Sequence, residues 1–142
     1  MHIVLDTNVL VSGLHNPFGP PGRILDMILS GRFQVVYDDR ILNEYLDVLA
    51  RPELAIEPTL VQAIVGYIRL SGIRLSALPL RGLTLPNSDD SPFAELAASD
   101  ASSVLITGNL KHFGGLEKIG VTVMSPSAFW ESFRGMSSLL TS

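Results

Sequence analysis

Short apolar runs alternate along the chain with segments whose apolar residues recur every three or four positions. His2–Leu5, Phe33–Tyr37, Ser103–Thr107 and Val121–Met124 have the length and branching of buried strands, and Ile73–Leu78 predicts a further short one. Helical spacing predicts helices over Thr7–Leu14, Arg23–Ser30, Asp38 to about Ala50, Thr59–Leu70, Asp89 to about Ser99 and Ser125–Arg134. Punctuation agrees with these bounds. Residues 16–22 (NPFGPPG) read as a loop, Gly31 and Ser71-Gly72 as helix stops, Arg51-Pro52 as a break and Gly108-Asn109 as a turn. Strands separated by helices imply an α/β three-layer sandwich, with a central parallel sheet of four to five strands flanked by helices. Residues 1–134 are expected to form a single domain, with 135–142 a flexible C-terminal tail.

Composition narrows the picture. A chain of 142 residues supports one compact core. Hydrophobic content is 46 % against 17 % charged, so some apolar surface is expected to end in a subunit interface. Cysteine is absent, which excludes disulfides and thiolate metal sites. No run approaches the roughly eighteen apolar residues of a membrane span. No basic stretch precedes the first apolar run, and Asp6 breaks it, so a secretory signal is not expected. A cytoplasmic location fits best. The net charge of −4 repels phosphate, so a nucleic-acid partner requires a local basic patch or bound cations.

Four polar residues stand out by position. Asp6 ends the first strand, at the carboxyl edge where ligands bind in open α/β sheets. Its plain alternative is a helix N-cap. Glu44 sits at the border of the stripe Ile41, Leu42, Tyr45, Val48 and Leu49, while Asp47 points to water. Its alternative is a half-exposed boundary residue. Asp90 begins the buried face formed by Phe93, Ala94, Ala97 and Ala101, whereas Glu95 is expected in solvent. Capping and helix-dipole stabilisation are the alternatives for Asp89 and Asp90. Asn109 follows another strand end, with an ordinary turn as its alternative. Carboxylates converging without Lys or Arg among them repel one another and select a hard divalent cation, Mg²⁺ or Mn²⁺.

These residues and their order resemble the PIN-domain ribonucleases, specifically the VapC-like toxin subunits of toxin–antitoxin pairs (PIN_3 type). The matching pieces are IVLDTNVLVSGL at the start, ILNEYLDVLARPEL around Glu44, SDDSPFAELA around Asp90 and VLITGNLKHF around Asn109. The resemblance spans His2 to about Phe133, and its specificity comes from the ordered set. It implies that Asp6, Glu44 and Asp90 hold the metal. The family's fourth acidic position falls on Asn109, a TGN variant, which favours one tightly held ion and a weaker second. It also implies a metal-dependent endoribonuclease acting on RNA, a cytoplasmic homodimer and a cognate antitoxin protein as partner. Thr7 and Asn8 are expected to orient the carboxylates. Arg40, Lys111 and His112 are expected near the mouth of the site; Lys111 and His112, directly after Asn109, are candidate contacts to the RNA backbone, with an ordinary solvated turn as the alternative.

Other assignments compete. A catalytically impaired PIN-like RNA- or protein-binding module would account for Asn109. A haloacid-dehalogenase-like phosphatase wants a second Asp two residues after Asp6, where Asn8 stands. A plain interaction protein leaves unexplained why four elements direct polar groups to one edge. Phe129, Trp130 and Phe133 read as core, with base stacking as the alternative. The helix 59–70 reads as core, with a dimer interface as the alternative.

Overall fold

The computed structural model describes the backbone of residues 1–141 and the side chains of residues 1–136. Five strands form one wholly parallel sheet: β1 (His2–Leu5), β2 (Gln34–Tyr37), β3 (Ile73–Arg74), β4 (Val104–Ile106) and β5 (Thr122–Met124), in the order β3-β2-β1-β4-β5. Six α-helices connect and flank them: α1 (Thr7–His15), α2 (Pro20–Leu29), α3 (Asp39–Leu49), α4 (Pro58–Ser71), α5 (Ser91–Ser99) and α6 (Pro126–Thr141). α1 packs on α2 and α2 on α6, while α3 contacts α4 and α5. The result is the expected α/β sandwich. β1 lies at the centre, and Ile3, Val4 and Leu5 are fully buried because a central parallel strand is covered on both faces.

Register positions the site. Ile3, Val4 and Leu5 pair with Val104, Leu105 and Ile106, so the next residues, Asp6 and Thr107, emerge side by side. Asp6 N–H donates to the Ile106 carbonyl and Thr107 N–H to that of Met124, both at 3.0 Å. The chain runs from β1 outward to β2 and β3, then returns to β4 on the other side of β1. Such a reversal opens a crevice at the carboxyl ends of the two strands.

Several bounds differ from the sequence expectation. α2 begins at Pro20 because the two prolines occupy its first turn, where a missing N–H costs nothing. Gly22 is therefore helical, and a Cβ there would collide with the Pro17 backbone. β3 has only two residues. Ala101 is exposed beyond the end of α5 and belongs to no buried face. Two 3₁₀ turns, Leu110–Phe113 and Leu116–Ile119, bury Phe113 and Leu116 completely. α6 continues past Arg134 to Thr141, and most of the expected tail at 135–142 lies outside the described side chains.

The apolar helices serve the core. Val61, Ile64, Val65 and Ile68 of α4 are buried, leaving Leu60 and Leu70 exposed. Phe129 and Phe133 pack edge-on against Phe33, with centroids at 5.3 and 4.8 Å. Trp130 leans on Phe133. Among the described residues, no helix is long and apolar enough to cross a membrane.

Candidate active site

The crevice at the ends of β1 and β4 is a cavity of about 510 Å³. Asp6, Glu44, Asp90 and Asn109 all line it, as do Asp89 and His112. Four separate elements thus bring the four sequence-predicted residues to one place. Asp6 and Asp90 are buried, Glu44 is half-buried, and Asn109 and Asp89 are exposed.

Asp38 precedes α3 and its carboxylate accepts from Ile41 N–H at 3.2 Å, a true N-cap. Asp6 and Asp90 hold the same position before α1 and α5, yet neither side chain caps its helix. Asn87, not Asp89, caps the preceding 3₁₀ turn, accepting from Asp89 N–H at 3.0 Å. Both buried carboxylates therefore remain directed to the crevice.

Their surroundings raise their affinity for protons. Burial pushes Asp6 from 3.8 up to about 6, opposed by the Thr107 hydroxyl and reinforced by the charges of Asp90 and Glu44. Burial also raises Asp90, against the pull of His112 and with the push of Asp89. Asp90 Oδ2 is buried without a hydrogen bond. His112 Nδ1 lies 3.1 Å away, close enough for an ion pair but not aligned as a donor.

Neighbouring polar groups fix the frame. Thr107 Oγ1 donates to Asp6 Oδ2 at 2.7 Å and accepts from Asn109 N–H at 3.0 Å. Thr7 donates to Glu44 Oε2. Asn8 Oδ1 accepts from Gly108 N–H at 3.2 Å, tying α1 to the turn after β4. The buried Tyr45 hydroxyl donates to the Leu5 carbonyl beside Asp6. Burial, then the charges of Asp6 and Glu44, push that phenol well above its usual value.

Some expectations fail. Arg40 does not line the crevice. It bridges Asp38 at 2.8 Å and Glu95 at 2.6 Å. Glu95 is accordingly not in open solvent. Lys111 borders an adjoining depression that shares Asn109 and His112 with the crevice. Sequence reasoning missed Thr107, whose hydroxyl links two of the predicted residues; its place directly after the fourth strand was the available signal. It also missed Arg51, taken only as a helix end.

Among the described residues, no three His, Cys, Asp or Glu side chains form a ready-made metal cluster. Glu44 is turned to Thr7 and Asp90 toward His112. The donor chemistry nevertheless fits a hard divalent cation. Its members are oxygen donors, two are buried carboxylates, and one buried oxygen lacks a partner.

Comparison with known proteins gives a consistent result. An uncharacterized protein of Methanocaldococcus jannaschii is 26 % identical over 144 residues, covering 92 % of this chain and 90 % of its own. The family model described as PIN domain (PIN_3) matches residues 2–111, the stretch that carries all four candidate residues. The PIN domain is a nuclease fold, generally metal-dependent. With its parallel sheet and crevice at the strand reversal, the chain belongs to the PIN domain family.

Proposed function

We propose that this chain is a metal-dependent endoribonuclease hydrolysing RNA phosphodiester bonds, with Mg²⁺ or Mn²⁺ held by Asp6, Glu44 and Asp90. The observation that carries this reading is the use of Asp6 and Asp90. Both stand at helix N-caps, neither caps, and both face a crevice that they share with Glu44. Leaving buried carboxylates so poorly compensated is costly unless a cation joins them.

When bound, the cation would supply Lewis-acid activation of water and neutralise charge at the phosphate. The protein's own groups do the rest. Asp6 is held in one orientation by Thr107, and Glu44 by Thr7. Asn109 offers a neutral amide in the same crevice as Asp6. Its hydrogen-bonding side chain can orient water or a phosphate oxygen. Three carboxylates and an amide favour one tightly held ion and a weaker second.

The order of the motifs also supports a role as the toxin of a toxin–antitoxin pair. In that setting the chain acts as a cytoplasmic homodimer restrained by a cognate antitoxin protein. A second reading, an impaired module that binds RNA or protein, is favoured by Asn109 and by the engagement of Asp90 with His112.

One assay separates them. Single-stranded RNA of mixed sequence is incubated with the chain in Mg²⁺ and in EDTA. The nuclease reading predicts cleavage in Mg²⁺, none in EDTA and none by Asp6→Asn. Cleavage by Asp6→Asn at the parent rate contradicts it, and RNA binding without cleavage favours the module.

A further inference from the structure

Among the described residues, five carboxylates line the crevice: Asp6, Glu44, Glu53, Asp89 and Asp90. Arg51 is the sole Lys or Arg there. A polyanionic substrate entering such a place needs fixed positive charge at its walls, since the whole chain is acidic.

Arg51 is built into its position. Its N–H donates to the Val48 carbonyl, and its own carbonyl accepts from Leu54 N–H, each at 3.1 Å. His15 Nε2 meets the Leu54 carbonyl at 2.9 Å, anchoring the 3₁₀ turn Pro52–Leu54 that follows Arg51 to the end of α1. The guanidinium has little competing engagement. Its ion-pair partner Asp47 lies at 4.0 Å and is 81 % exposed, a pairing that contributes little. The adjoining depression of about 420 Å³ is bordered by Lys111 and shares Asn109 and His112 with the crevice. The two cavities adjoin, with Arg51 lining the acidic one and Lys111 its neighbour.

Resting on the nuclease reading above, we propose that Arg51 and Lys111 clamp the RNA backbone phosphates on either side of the bond to be cut. Arg51 acts as a bidentate fork on one phosphate, and Lys111 as a point charge on another. Both are positioning residues that hold the strand across the acidic crevice.

The test is binding of a fluorescein-labelled oligouridylate, followed by anisotropy over a salt series in Mg²⁺. The Asp6→Asn background prevents turnover. Arg51→Gln and Lys111→Gln are each expected to weaken binding about tenfold and to lower the salt slope by about 0.7, one phosphate contact on a single strand. Lys118→Gln, which removes an exposed charge outside both cavities, is expected to change neither. A merely structural role for Arg51 would not move the slope. Should Arg51→Gln fail to fold by circular dichroism, Arg51→Lys decides: it should keep the slope and lose affinity. An Arg51 variant with parent affinity and slope overturns the clamp while leaving the nuclease reading intact, provided the unsubstituted chain cleaves. Absence of both cleavage and RNA binding overturns the two together.

Discussion

Thr107 Oγ1 donates a 2.7 Å hydrogen bond to Asp6 Oδ2, joining the ends of two adjacent parallel strands 101 positions apart in sequence. The hydroxyl is fully buried and opposes the effect of burial on Asp6. Thr107→Val keeps the shape and removes the donor. It is expected to cost about 1–3 kcal/mol of stability at pH 8, where Asp6 is charged, and less at pH 4. Urea denaturation at the two pH values checks this, and equal losses at both would show that the bond does not serve the charged form.

The elevated proton affinity of Asp6 gives a pH dependence with a definite sign. Between 3.8 and about 6 the folded state binds more protons at this residue than the unfolded state. Its contribution to stability is therefore complete below about pH 3.8 and lost as pH rises through about 6. The shift corresponds to at most about 3 kcal/mol. Asp6→Asn, still able to accept from Thr107, should stabilise the chain in EDTA at pH 8 by about 1–3 kcal/mol and have little effect near pH 4. Parallel stability–pH curves for the two proteins would exclude this origin.

Asn109 lines the crevice together with Asp6, Glu44 and Asp90 but carries no charge. Asn109→Asp is expected to tighten Mn²⁺ binding about tenfold or more, by adding a charged oxygen donor beside Asp6. Isothermal titration calorimetry reads the change. An unaltered dissociation constant would place residue 109 outside the ligand set.

Tyr45 supports the strand end from below. Its hydroxyl donates to the Leu5 carbonyl, one residue before Asp6, in a fully buried setting. Tyr45→Phe is expected to lose about 1 kcal/mol of stability. The cleavage rate should fall while KM stays unchanged, because the placement of Asp6 is loosened and the substrate walls are not touched. A change confined to KM would argue for a substrate contact instead.

Much of the architecture is legible in the sequence because it depends on local periodicity. The apolar runs at His2–Leu5 and Val104–Ile106 announce strands covered on both faces, and the helices between them force parallel order. Glu44 follows from spacing too: its place beside Ile41 and Val48 makes it half-buried at the crevice. The surprises depend on partners distant in sequence. Glu95 projects away from Asp90 on its own helix, but Arg40 of α3 comes to meet it. Arg51 reaches the crevice because His15 anchors the following turn, a contact invisible in either segment alone. The 3₁₀ turn at Leu116–Ile119 is framed by Gly115 and Gly120 at φ 93° and 88°, and only tertiary packing explains its buried Leu116. Asp6 and Asp90 lie between these cases. Their positions are readable, whereas their refusal to cap requires coordinates.

Anomalous diffraction from a crystal soaked in Mn²⁺ would settle whether these carboxylates share a cation. A peak bounded by the side chains of Asp6, Glu44 and Asp90, lost in Asp6→Asn, is the predicted result. Full Mn²⁺ exposure with no peak in the crevice, or a peak touching none of the three, would contradict it.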